Sequence, residues 1–172
     1  MQLLHGRRTT VFALPVLFAH VCLAGPIVRL EDGTAIEGLV EATYPQVDQY
    51  LGIAYANSPV GDLRWAKPHA AAKADYINAT RPAPSCMQNI PTDDPVYTSM
   101  FPAEYQPPKN GLMGEDCLRL SVWKPSGHTT APLPVLVFIH GGAFMGGSET
   151  VPYQIPTPWV QRTQNLIVVS LK

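Results

Sequence analysis

The stretch PVLVFIHGGAFMGGS, residues 134–148, decides how this chain is read. Val135 to Ile139 is an apolar run of strand length with no polar face, as expected of a strand in the middle of a helix-covered sheet. His140 ends the run, and Gly141, Gly142, Gly146 and Gly147 follow within seven positions. Further on, Thr157-Pro158-Trp159 offers an N-cap residue and then a proline suited to the first helical position, which predicts a short helix through Gln164. Residues 166–171, LIVVSL, read as a second apolar strand. Strand, glycine loop, helix and strand make an α/β unit. The expectation is that the edge at Leu166 to Leu171 is left bare and apolar, so that the isolated chain is poorly soluble.

Upstream, residues 26–40 (PIVRLEDGTAIEGLV) alternate in character around Asp32-Gly33, a favoured hairpin turn pair, and predict two short antiparallel strands. VDQYLGIAYA, residues 47–56, supplies a third. Residues 66–114 hold many prolines and no sustained period, and read as an irregular loop with short helical turns. Regularity returns at CLRLSVWKP, where Leu118, Leu120 and Val122 share one face and Arg119 and Ser121 the other, the pattern of a half-buried strand.

The 172 residues include 18 prolines, and only 15% are charged against an average of about a quarter. That composition suggests a loop-rich chain with much buried surface. Residues 1–24 read as a secretory signal peptide, because Arg7 and Arg8 precede the apolar run Val11 to Ala19 and small residues stand at Cys22 and Ala24. The run is far below the ~20 residues of a spanning helix and is interrupted by Pro15 and His20, so no stable membrane anchor is expected. The folded part is then 25–172. Removing the leader takes away two of the 12 basic residues and none of the 13 acidic ones, leaving a formal net charge of −3. Nothing in that balance courts nucleic acid.

Two cysteines remain, Cys86 and Cys117. In an oxidising compartment they most simply pair, and two buried free thiols are the alternative. Asn78-Ala79-Thr80 is a candidate glycosylation sequon.

Three readings compete for HGGAFMGGS. Gly141, Gly146 and Ser148 fit the spacing of a phosphate loop, but Gly147 stands where its lysine would be; nor is there a dinucleotide fingerprint. A purely structural reading needs only tight turns with positive φ. The third is an oxyanion hole, in which adjacent backbone N–H groups at the end of a buried strand face the oxygen of a tetrahedral intermediate. His-Gly-Gly after such a strand is the arrangement of esterases and lipases with the α/β-hydrolase fold.

Other segments add to this one. YLGIAYANSPVGDLRWAKP (50–68) is similar to an early G-I-P-Y-A…P-x-G-x-L-R-F segment, with Ala54 in place of the usual proline. EDCLRLSVWKP (115–125) is similar to an acidic-Asp-Cys-Leu strand signature, and VQRTQNLIVVSL (160–171) to a following helix and strand. With the glycine loop these four ordered segments span nearly all of residues 25–172, and they resemble the N-terminal part of the type B carboxylesterases, a family that includes cholinesterases and fungal lipases.

The resemblance implies an incomplete α/β-hydrolase fold, with N-terminal antiparallel strands and the first strands of the central sheet. It implies that Gly142 and Ala143 supply oxyanion donors while Gly141 shapes the turn. It also matches Cys86 and Cys117 to the family's first disulfide, and Arg64 and Glu115 to an ion pair beside the loop it encloses. The implied protein is a secreted carboxylic-ester hydrolase of the serine-nucleophile type, acting on a small-molecule or lipid ester without a cofactor.

The rest of that chemistry is missing from the 172 residues. A nucleophile elbow needs G-x-S-x-G, and the nearest approach, Gly146-Gly147-Ser148-Glu149-Thr150, lacks the final glycine, so Ser148 reads as a turn residue. His69 and His128 lie in loops, and His140 suits a structural hydrogen bond beside the glycine turn. The five histidines are too dispersed for a metal site. The chain therefore reads as the front portion of an esterase, ending before the serine, acid and base and inactive alone. The rival is a cholinesterase-like interaction domain without catalysis, which the aimed glycines argue against. Residues 87–116 contain Tyr97, Phe101 and Tyr105 but no tryptophan to hold a quaternary ammonium, which favours neutral acyl esters or lipids over choline esters.

Overall fold

The computed structural model describes residues 25–89, 113–127 and 131–172. The proposed signal peptide, residues 1–24, lies outside the described residues, as do Tyr97, Phe101, Tyr105 and His128. In chain order the elements are β1 (Ile27–Arg29), β2 (Ala35–Glu37), β3 (Val47–Ala54), β4 (Tyr76–Asn78), β5 (Arg119–Pro125), β6 (Val135–Ile139), helix α1 (Thr157–Thr163) and β7 (Ile167–Leu171). They form two sheets of a mixed α/β fold, one in the order β1-β2-β4 and one in the order β3-β5-β7-β6.

The hairpin forms where the Asp32-Gly33 pair places it. Gly33 takes φ +92°, Leu30 and Thr34 close the turn at 2.9 Å, and the Asp32 carboxylate accepts from the Thr34 amide at 2.9 Å. Residues 47–54 do form a strand, but β3 joins the second sheet rather than extending the hairpin, pairing antiparallel with β5. The hairpin's third strand is β4, which runs parallel to β2 with Ala35 opposite Tyr76. This corrects the reading of residues 66–114 as wholly irregular. Three residues are too few to show a period, and a parallel partner some 40 positions away leaves no local signal.

Two small cores hold the sheets. Ile36, Tyr50 and Ala79 are buried between them with Val28, Ile53, Ile77 and Val122 packed alongside. On the other face of the second sheet, Val47, Trp123, Val160, Leu166 and Val168 pack beneath α1. Each such fully buried aliphatic side chain contributes about 1.5–3 kcal/mol. Gln49 is buried in that second core and fully partnered: its Oε1 accepts from Trp123 Nε1 at 3.0 Å, and its Nε2 donates to Glu41 Oε1 at 2.9 Å.

The helix begins one residue from its expected start. Thr157 is its first residue and Pro156 its N-cap, and the Thr157 hydroxyl turns inward toward Gln49 Oε1 at 3.4 Å instead of capping. Gln164 ends the helix in the left-handed conformation at φ +50°.

The expected sheet order is corrected more substantially. β7 is interior, antiparallel to β5 with Val122 opposite Val169 and parallel to β6 with Val137 opposite Val169. The strand at the edge beyond β7 is β6, and its Val135, Val137 and Ile139 are 56%, 58% and 70% exposed. The crossover through α1 carries the chain back between β5 and β6, so the earlier apolar run is the one left outside.

Candidate functional site

The glycine loop leaves the carboxyl end of β6, beside the end of its parallel neighbour β7. Ligands of open α/β sheets gather at strand carboxyl ends. A turn closes at once: the Met145 amide donates to the Gly142 carbonyl at 2.9 Å and the Gly146 amide to the same oxygen at 3.2 Å. The central residues Ala143 and Phe144 both have positive φ, 54° and 58°, and Gly142 lies at +130°. Left-handed backbone costs a residue with a Cβ about 1–2 kcal/mol, and such strain gathers at functional sites. The amides of Gly142, Ala143 and Phe144 donate to no other described residue.

The glycines here answer to close approaches. A Cβ on Gly142 would lie 1.6 Å from the Gly146 carbonyl oxygen, and one on Gly147 would lie 2.4 Å from the Gly141 oxygen and 2.5 Å from His140 Nδ1. The two arms of the loop thus touch through their backbones. His140 Nδ1 sits 2.8 Å from the Gly141 carbonyl; a carbonyl only accepts, so the proton is on Nδ1. Gly141 itself has open space around its Cβ position, and its part in the turn is played by its carbonyl.

A cavity of about 240 Å³ opens against the loop, lined by Cys86, Gln88, His140, Phe144, Gly147 and Lys172 among others. One wall belongs to the disulfide segment. Cys86 and Cys117 are bonded. From that segment Gln88 reaches over, accepting from the Gly147 amide at 2.6 Å and donating to the Gly147 carbonyl at 2.9 Å. Ser148 is 1% exposed. Its hydroxyl accepts from Ser85 Oγ at 2.7 Å and from the Thr150 amide at 3.2 Å, so it locks a turn and is out of reach of a substrate.

Behind the loop lies a charged group that sequence reasoning missed. Glu149 is buried, with Oε1 accepting from Ser121 Oγ at 3.1 Å and standing 3.6 Å from Lys172 Nζ. Among the described residues its Oε2 is a buried oxygen without a hydrogen-bond partner. Burial raises the Glu149 carboxyl above the ordinary range, against the pull of Lys172, and burial lowers the Lys172 amine. Nothing local marked Glu149 in the sequence, since its partners are 28 and 23 positions away. Gln88 was missed for the same reason.

The remaining candidates lie apart from the loop. Arg64 Nη2 is 2.7 Å from Glu115 Oε1, both side chains being well exposed, so the pair contributes under ~1 kcal/mol. Asn78 is exposed at the end of β4, and its Oδ1 accepts from the Thr80 hydroxyl at 2.6 Å. Among the described residues no cluster of His, Cys, Asp or Glu could hold a metal ion, and no helix is long and apolar enough to cross a membrane.

A mixed sheet with a crossover helix and a glycine loop at a parallel strand's carboxyl end defines a partial α/β-hydrolase fold. The chain belongs to the carboxylesterase family, whose sequence model matches residues 24–172. It is 40% identical to a chlorogenic acid esterase of Aspergillus niger over 151 residues, covering 86% of this chain and 29% of that protein. It is 32% identical to secreted lipase 5 of Gibberella zeae over 194 residues, covering 98% and 35%. With a mouse cholinesterase it shares 38% identity over 130 residues, covering 73% and 20%. The chain thus spans about a third or less of the length of these relatives.

Proposed function

We propose that residues 25–172 contribute the oxyanion side of a secreted carboxylic-ester hydrolase, with the amides of Gly142 and Ala143 as donors and Gly141 as the turn that aims them. The observation that carries this reading is the strained turn at 142–144, whose consecutive amides donate to no other described residue and whose Phe144 lines the adjoining cavity. Donors fixed before the reaction stabilise the developing oxyanion without reorganising, and each is worth ~100-fold or more in turnover. The Gly142 and Ala143 amides would strengthen their bonds as the ester carbonyl becomes tetrahedral and its oxygen gains charge. The attacking serine, its base and its acid are not among these 172 residues, so the chain alone is inactive. Secretion rests on residues 1–24, on the disulfide and on the name of the Gibberella zeae relative; a glycan at Asn78 would fit the exposed end of β4. Neutral acyl or lipid esters suit the apolar Phe144 and Met145 at the loop tip.

The test uses a chimera in which this chain replaces the matching segment of the Aspergillus niger relative. Nitrophenyl ester turnover is measured with and without a backbone ester in place of the Gly142–Ala143 amide, which removes the Ala143 N–H and leaves the Gly142 carbonyl in place as a weaker acceptor for Met145 and Gly146. The expected result is a fall in kcat of about 100-fold or more with KM little changed. Undiminished kcat would overturn the reading. The unmodified 172-residue chain should show no turnover that a serine-directed inhibitor blocks.

A further inference from the structure

The loop's outgoing arm is held by a side chain from another part of the molecule. Gln88 presents its carboxamide edge-on to the Gly147 peptide, accepting from its N–H at 2.6 Å and donating to its C=O at 2.9 Å, while Nε2 also donates to the Cys86 carbonyl at 3.2 Å. Both faces of one peptide unit are thereby fixed by one planar group, as in a rung of a β-ladder. The neighbouring Gly146 keeps room for it: a Cβ there would lie 2.7 Å from Gln88 Oε1. Gly147 in turn abuts the Gly141 carbonyl and the His140 ring, directly before the amides of Gly142 and Ala143.

The segment that carries Gln88 is itself anchored. Cys86 is bonded to Cys117 just before β5, the Ser85 carbonyl accepts from the Gly114 amide at 2.8 Å, and Ser85 Oγ donates to Ser148 at 2.7 Å. A rigid line of contacts therefore runs from the disulfide through Gln88 to Gly147 and on to Gly141.

We propose that Gln88 is a positioning residue for the glycine loop, setting the direction of the Gly142 and Ala143 amides by clamping Gly147 to the disulfide segment. Its bearing on ester hydrolysis rests on the oxyanion reading of those amides; the clamp itself does not. Gln88 touches no reacting atom. It acts by keeping the outgoing arm against the Gly141 carbonyl and the His140 ring, so that the amides of the incoming arm hold one direction.

The experiment follows backbone amide signals of the ¹⁵N-labelled 172-residue chain by NMR. In Gln88→Ala the Gly147 amide should exchange with solvent about tenfold faster or more, with the Gly142 and Ala143 signals displaced and those of β5 and β7 unmoved. Gln88→Glu supplies the sharper readout. Above the ordinary glutamate pKa of about 4.3, its carboxylate accepts from the Gly147 amide but faces the Gly147 and Cys86 carbonyls without a proton to donate. Once protonated it regains one donor for the Gly147 carbonyl beside its acceptor, lacking only the second donor that reached Cys86, so the Gly142 and Ala143 signals should move back toward their parent positions at low pH.

His140 and Lys172 are the other titratable side chains lining this cavity, and the parent chain measured over the same pH range controls for both. The proposal is overturned if Gln88→Glu shows no titration at Gly142 and Ala143 beyond the parent's, or if Gln88→Ala moves the core strands as much as the loop. These signals need no ester. In the chimera, Gln88→Ala should then lower kcat with KM little changed; loop signals that move while kcat holds would sink the oxyanion reading and leave the clamp standing.

Discussion

Tyr50 shows how burial is converted into pH dependence. Its ring is packed against Ile36 and Ala79, and desolvation, helped by the negative Asp48, pushes its hydroxyl from 10.0 up to about 12. Between those values the folded chain keeps a proton that the unfolded chain releases. Stability from this group is therefore complete below pH 10 and is lost as the pH climbs toward 12. Urea denaturation midpoints measured across that range should fall in the parent and fall less in Tyr50→Phe. Backbone geometry gives a second prediction at the same scale. Gly142→Ala combines φ +130° with a Cβ 1.6 Å from a carbonyl oxygen, whereas Gly33→Ala has φ +92° and meets nothing within 4 Å. Thermal denaturation should show a loss of about 2–3 kcal/mol for the first and about 1 kcal/mol for the second. Equal losses would mean that the loop yields and that the close approach is not what demands glycine.

At the scale of elements, the exposed strand β6 governs how the chain behaves in solution. Its outer edge pairs with no described strand, and Val135, Val137 and Ile139 are open to water, a combination that templates pairing with another chain. Val137→Lys should lower self-association in sedimentation velocity while shifting the denaturation midpoint by less than about 0.5 kcal/mol. Unchanged association would place the contact elsewhere. The hairpin, β3, β5 and the β6–α1–β7 unit were legible in the sequence because each carries its own turn pair, alternation or cap. Which of two apolar strands lies inside was not legible, because a run such as Val135 to Ile139 looks the same at a covered position and at an edge. Of the site, the glycine run announced itself through composition. Gln88 did not, since its partner is a backbone group 59 positions away, and a lone glutamine has no pattern to read.

For the molecule as a whole, the bond between Cys86 and Cys117 joins the part that carries the glycine clamp to the central strand β5. The residues it spans are 31 apart, so in the chain-entropy account it removes about 3–4 kcal/mol of freedom from the unfolded state. Reduction, or the double change Cys86→Ser and Cys117→Ser, should lower the urea midpoint accordingly, and a change below about 1 kcal/mol would show that the unfolded chain is already restrained there. The same covalent ring has an analytical consequence. A protease that cuts once anywhere from Met87 to Asp116 would yield two polypeptides still tethered to each other. Such a nicked product would migrate as a single species on a non-reducing gel and fall apart into two bands only after thiol treatment.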